Sequence, residues 1–411
     1  MRSRHALGIA GAIALMATIG APAAAQEPQV DVLAEGLVAP RGVTVAADGS
    51  VYVAEAGTGG ESCMEGPRGP LCYGPSGAVT RVADGASERV VEGLPSAGAE
   101  PEFGGVSDVA VLDDGSLVLV MNLGADPAIR ESLPPELATS GWLVTVAADG
   151  TLEPFADVAA FEAANDPDAE FGGEVDSNPY GLATIDDGYL VADAGGNDLL
   201  HVAGDGSVSF VAGFPPRTFE FSAAELAAMG PPPEGEGAPA EAPASGEPME
   251  AAPASAAAAP ASAPADVMVP VPVQAVPTSV TVGPDGAYYV GQLTGGPFPV
   301  GGASVWRVVP GEDPTEYATG FTNIVGLGFG PDGTLYVAEM VHEGLMTLFA
   351  GTGAPPIGAV LSVPPGGGEP TVVATGEQFM ALGGLDVDAD GNVYVSTGSL
   401  APGGTLVRIT P

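Results

Sequence analysis

One unit recurs six times along this chain: an alternating apolar run, an Asp-Gly turn, and a second alternating run. Clear copies are Gly42-Val-Thr-Val-Ala-Ala-Asp-Gly-Ser-Val-Tyr-Val-Ala-Glu55 and Gly326-Leu-Gly-Phe-Gly-Pro-Asp-Gly-Thr-Leu-Tyr-Val-Ala-Glu339, and the others turn at Asp114, Asp187, Asp285 and Asp390. Apolar residues at every second position put one face of a strand into a core, and Asp-Gly supplies the positive backbone dihedrals of a tight hairpin turn. Each unit therefore reads as a β-hairpin, and after five of them a further pair of short alternating runs follows. Four strands per repeat of a few tens of residues is the arithmetic of a β-propeller blade. The fold expected is all-β: a six-bladed propeller with four-stranded blades.

The sixth unit has three strands of its own, ending in Gly404-Thr-Leu-Val-Arg-Ile-Thr410. A fourth is available near the other end of the chain, where Val30-Asp-Val-Leu-Ala-Glu-Gly-Leu37 closes on the same Glu-Gly-Leu as the outer strand ending at Leu94. The N-terminal strand is thus expected to complete blade six and close the ring. Residues 1–25 read as a signal peptide, with Arg2 and Arg4 before an apolar stretch and Ala23-Ala24-Ala25 before Gln26. No later apolar run is long enough to span a bilayer. The propeller then occupies 26–411, and the protein is expected to be exported, periplasmic or extracellular, and monomeric. Within the ring, residues 215–265 break the repeat spacing with an Ala/Pro-rich tract that cannot bury enough apolar area to order itself. That insertion is expected to be disordered, with a short helix at its base over Phe219 to Met229.

Export makes the two cysteines informative, because Cys63 and Cys72 share one loop and an oxidising compartment lets them pair. No further Cys or nearby His completes a zinc set around them. Charge narrows the partners. The formal net charge is −42 because all ten basic residues are Arg and the acidic residues number 52. Such a surface repels phosphate backbones and anionic headgroups, which argues against nucleic acid and leaves cations and neutral molecules as ligands.

In an antiparallel hairpin the start of the first strand and the end of the second share one edge, and in a propeller that edge faces a mouth of the central channel. The strand starts supply Arg41, Asp108, Asn178, Thr278, Asn323 and Gly384, and the strand ends supply Glu55, Asp193, Gln292, Glu339 and Thr397, with Met121 and Asn122 in blade two. Glu55, Asp108, Asn178, Asp193, Asn323 and Glu339 form a candidate metal set, an oxygen-rich ring suited to Ca²⁺ or another hard divalent cation. The same positions also suit turn capping and bridging between blades. A second acidic stretch, Asp166, Asp168, Glu174 and Asp176, could gather Ca²⁺ on the loop entering blade three, though its spacing matches no EF-hand. Catalytic residues cannot be assigned: beyond the leader only His201 and His342 occur, with no Gly-x-Ser-x-Gly elbow and no Lys. His201 lies in a strand as a packed residue, and His342, three residues after Glu339, is the better candidate base.

Several loops carry a family resemblance. Cys63 through Cys72-Tyr-Gly-Pro-Ser-Gly77, Leu123-Gly-Ala-Asp-Pro127, Phe161-Glu-Ala-Ala-Asn165, Asp176-Ser-Asn-Pro-Tyr-Gly181 and Ala192-Asp-Ala-Gly-Gly-Asn-Asp-Leu199 resemble the ScyD/ScyE family of exported bacterial proteins. The stretch from Ala192 to Asn197 also resembles the core of NHL repeats. The resemblance implies a secreted NHL-like propeller, without a set of catalytic residues to carry over. The expected function is a binding module for a small molecule, glycan or protein at the channel face. The alternative is a metal-dependent hydrolase of the lactonase type at the same mouth, where the Glu/Asn/Asp ring resembles that of gluconolactonase-like enzymes. A quinone-dependent sugar dehydrogenase fits less well, since basic residues and histidines are scarce.

Overall fold

The computed structural model describes residues 28–66, 69–99, 102–147, 150–228, 267–349 and 353–411. The expected leader, within residues 1–27, and most of the expected disordered insertion lie outside the described residues.

The chain forms a six-bladed β-propeller of four-stranded antiparallel blades. Each blade begins with an innermost strand: Pro40–Val45, Val106–Val111, Pro179–Ile185, Pro277–Val282, Ile324–Phe329 and Gly384–Val387. Each of these packs against the innermost strands of the blades before and after it, so that the six surround a central channel. Blade one carries additions. Ser62–Gly66 pairs with the start of Gly69–Ala83, and within that pairing Cys63 stands opposite Cys72 and is joined to it by a disulfide.

The ring closes as the sequence suggests. Gln29–Val38 pairs antiparallel with Pro402–Thr410, matching Val30 with Ile409 and Glu35 with Thr405. Arg408 donates to Asp31 Oδ2 across this pair at 2.7 Å, but both side chains are about one-third exposed. Such an ion pair contributes at most about 1 kcal/mol. The backbone ladder and the burial of Ala34 and Leu37 carry the closure.

The core differs from the one-faced burial that alternation suggests. The second strand of a blade is buried on both faces, as in Val51–Glu55 and Leu117–Met121. Val51 and Val53 join the apolar cluster shared with blade six, while Tyr52 and Ala54 join the one shared with blade two. Leu117, Leu119 and Met121 likewise face blade one, whereas Val118 and Val120 face blade three. Successive side chains of a strand point to opposite faces, and in a ring each face meets a neighbouring blade. Six apolar clusters result, one at each junction between blades.

At the base of the insertion the expected helix is shorter and is preceded by a strand. Arg217–Ser222 pairs with Met268–Val273, setting Phe219 against Val271 and Phe221 against Val269, and among the described residues of the expected helix Ala223–Ala228 is helical. Alternation of Phe219 and Phe221 with polar neighbours favours the strand. Ser222 and Glu225 then start the helix by capping each other's amides, with the Ser222 amide donating to Glu225 Oε2 and the Glu225 amide to Ser222 Oγ.

Candidate functional site

The polar residues at the strand ends perform a common structural task. In four blades a side chain at or just after the end of the second strand accepts the amide of a residue just before the first strand. Glu55 Oε2 takes the Val38 amide at 2.6 Å, Asn122 Oδ1 takes Gly105 at 2.7 Å, Asp193 Oδ1 takes Asn178 at 2.6 Å and Glu339 Oε1 takes Thr322 at 2.7 Å. In blades one and five the chain enters the innermost strand here through tight backbone, with Ala39 and Asn323 in the left-handed region. Its amides cannot join a ladder at that point, so a buried acceptor must satisfy them.

The six residues of the candidate metal set stand as follows. Glu55, fully buried, also accepts from Thr80 Oγ1 and from Arg89. Asp193 accepts further from Ser177 Oγ and from the Gly195 and Gly196 amides. Glu339 faces His342 Nδ1, and burial raises its pKa. Asn323 donates to the Leu293 carbonyl and accepts the Leu345 amide. Asn178 Oδ1 is buried without a partner, and Asp108 lies deeper, within the channel. The four carboxylates among them do not gather three to a site.

Glu55 links the closing strand to blade one. Replacing it with Ala strands the Val38 amide, the Thr80 hydroxyl and the Arg89 guanidinium. Because Arg89 is partly exposed, the expected loss is about 2–3 kcal/mol, below the full cost of a buried pair. A denaturant midpoint that does not move contradicts this role.

The channel encloses a cavity of about 290 Å³. Its wall mixes strand backbone with the hydroxyl residues Thr44, Ser107, Thr184, Thr278, Ser279 and Thr281, and it holds two carboxylates, Asp108 and Asp386. Asp108 accepts the Leu182 amide of blade three, and Asp386 the Val45 amide of blade one, each at 2.8 Å. Gly42 makes room for Asp108, since a Cβ there would lie 2.0 Å from its Oδ1. Desolvation outweighs these hydrogen bonds, raising Asp108 to about 7 and Asp386 to about 6. Where the innermost strands begin, Arg41 reaches from blade one past blade two to blade three. It donates to Tyr180 Oη at 2.6 Å, lies over that ring, and donates to the Phe103 carbonyl. This contact narrows one mouth.

A second constellation lies at the entrance to blade three. The helix Val158–Asn165 presents Glu162, its C-cap Asp166 adopts a left-handed conformation, and Asp168 follows on the loop. Carboxylate oxygens of these three lie within 4.8 Å of one another. Asp198, the first residue of the strand Asp198–Ala203, acts electrostatically on the same group. Burial raises Glu162 to about 8 and Asp168 to about 6, and pushes Asp198 well above the usual range, with the neighbouring carboxylates adding to each shift. Of the loop residues singled out from sequence, Asp166 and Asp168 converge here and Glu174 is exposed. Glu162 and Asp198 escape a sequence reading because they sit on a helix and a strand start; the available signal was the spacing of Glu162, Asp166 and Asp168 around one helix end.

His201 is partly buried in its strand, 3.4 Å from Asp187. No helix among the described residues is long and apolar enough to cross a membrane.

No protein-family model matches the chain, and no curated protein matches it. Solved structures align over most of its length. A virginiamycin B lyase from Staphylococcus aureus is 11% identical, with 94% of this chain and 100% of that one covered and a TM-score of 0.43. An aldose sugar dehydrogenase from Escherichia coli is 12% identical over 93% and 99%, with a TM-score of 0.47. A gluconolactonase from Xanthomonas campestris is 14% identical over 77% and 90%, with a TM-score of 0.39.

Proposed function

We propose that this protein is an exported binding propeller of the ScyD/ScyE type whose channel takes a small, hydroxyl-rich or cationic molecule. The channel itself carries this reading: a cavity of about 290 Å³ lined by hydroxyl residues and by two carboxylates. Ligand pockets begin at about 300 Å³, so the volume suits a monosaccharide-sized molecule better than a polymer. Hydroxyls and carboxylates pair well with sugar hydroxyls or an ammonium group, and the net charge of −42 disfavours anions. The Cys63–Cys72 disulfide supports export to an oxidising compartment. Against the lactonase alternative stands the engagement of Glu55, Asp193 and Glu339 with backbone amides and with Arg89, Ser177 and His342.

Calorimetric titration of the mature protein against glucose, inositol, gluconolactone and ethanolamine tests the reading. At least one should bind, and Asp108→Asn or Asp386→Asn should weaken it by roughly tenfold, as expected when a charged hydrogen-bond acceptor is lost. Absence of binding across the panel, or binding indifferent to both variants, contradicts the proposal. Turnover of gluconolactone that needs Asp108 would favour the hydrolase instead.

A further inference from the structure

The carboxylates at the entrance to blade three have no role in the channel, and their arrangement needs a counter-charge. Glu162 and Asp198 are fully buried and Asp168 is 1% exposed. Both oxygens of Glu162, both of Asp198, and one each of Asp166 and Asp168 are buried without a hydrogen-bond partner. Asp193 nearby differs, because four donors satisfy it. The charged groups acting on Glu162 are Asp193, Asp168, Asp166 and Asp176, all of the same sign. Arg130, on the segment that packs beside this helix, is engaged by Asp157. An unpaired carboxylate in a dry interior costs several kcal/mol, and several together cost more.

The backbone is shaped around these oxygens. Asn197 donates to Asp168 Oδ2 at 2.8 Å and orients it, leaving the other oxygen without a donor. A Cβ on Gly196 would lie 3.0 Å from Glu162 Oε2, and one on Gly173 only 2.0 Å from Asp168 Oδ2. We propose that Glu162, Asp166 and Asp168, with the buried charge of Asp198 beside them, form an oxygen-only site for a divalent cation of the Ca²⁺ type, fastening the crossover from blade two onto blade three. The donor set selects the ion. Zinc and copper favour nitrogen or sulfur ligands, whereas Mg²⁺ retains several waters and uses one or two carboxylates. Three carboxylates gathered around one helix end, with a fourth negative charge beside them, suit the larger, geometrically tolerant Ca²⁺.

The full mature protein, stripped with chelator and returned to buffer, should bind one Ca²⁺ per chain by equilibrium dialysis. Its melting temperature should rise by ~3 °C at Ca²⁺ about 100-fold above Kd. Mg²⁺ should bind at least about tenfold more weakly. Glu162→Gln and Asp168→Asn should each weaken Ca²⁺ by about 100-fold, while their ion-free melting temperatures equal or exceed that of the ion-free parent, because a buried repulsion is relieved. That opposite pair of effects separates ligands from residues that merely pack. Failure of the parent to retain Ca²⁺ or gain stability at millimolar CaCl₂ overturns the proposal, as does a full Ca²⁺ response in both variants. Equal affinity for Mg²⁺ overturns the assignment to Ca²⁺. If neither variant folds, the stoichiometry and melting shift of the parent decide.

Discussion

Deleting the mature chain through Val38 is expected to abolish cooperative folding or lower the melting temperature by more than about 10 °C. The deletion strips the outer partner from Pro402–Thr410 and leaves the ladder from Val30 through Val38 unmade. Leu37, 3% exposed, contributes roughly 2–3 kcal/mol by burial alone, and Ala34 adds to it. Glu55 also loses the Val38 amide. A native domain is stable by about 5–15 kcal/mol, so these losses together approach the total. The bared edge would template association between chains. Thermal melts with light scattering read both effects, and an unchanged, non-aggregating melt contradicts the closure.

Stability should also fall as pH rises from about 5 to 8 in Ca²⁺-free buffer. Burial raises Asp108 to about 7 and Asp386 to about 6, above the 3.8 of an unfolded Asp. The folded state therefore holds protons that the unfolded state releases, and their contribution is complete below about pH 4 and lost as pH climbs through 6 and 7. Glu162, at about 8, acts in the same direction over a higher window. Asp108 and Asp386 keep contact with channel solvent, so a discounted figure of about 1–2 kcal/mol each is appropriate. In the opposite sense, hydrogen bonds hold Asp48, Asp114 and Asp332 below the ordinary range, so acid removes their contribution below about pH 4. The melting temperature should peak near pH 4–5 and drop by ~5 °C or more by pH 8. Asp108→Asn should flatten that slope. A melting temperature that is level or rises between pH 5 and 8 contradicts the burial of these carboxylates.

Much of the fold was legible because strand alternation and Asp-Gly turns are local signals. The closure was legible because Glu35-Gly-Leu37 repeats the ending of an outer strand, Glu92-Gly-Leu94. What alternation could not convey is that Tyr52 and Val53 both lose their solvent, since that depends on a blade standing on either side. The mouth residues show the same limit more sharply. Glu55, Asp193 and Glu339 were recognisable as a ring, but their partners are backbone amides of Val38, Asn178 and Thr322, which carry no sequence signature. Asp386 went unnoticed beside Asp108 because it sits two places nearer its turn, on a different level of the channel wall. Glu162 lies on a helix outside the repeat, so its approach to Asp166 and Asp168 was legible only as spacing around that helix's end.

If the channel is the working site, plugging it should abolish binding. Cys63 and Cys72 are joined, so a cysteine introduced at Thr281 on the channel wall is the single free thiol. Capping it with a small neutral maleimide fills much of a cavity of about 290 Å³ without adding charge. The capped Thr281→Cys protein should melt as the uncapped one does and lose all binding of whichever sugar, polyol or amine the parent takes up. Undiminished binding by the capped protein would contradict the account and move the working surface out of the channel.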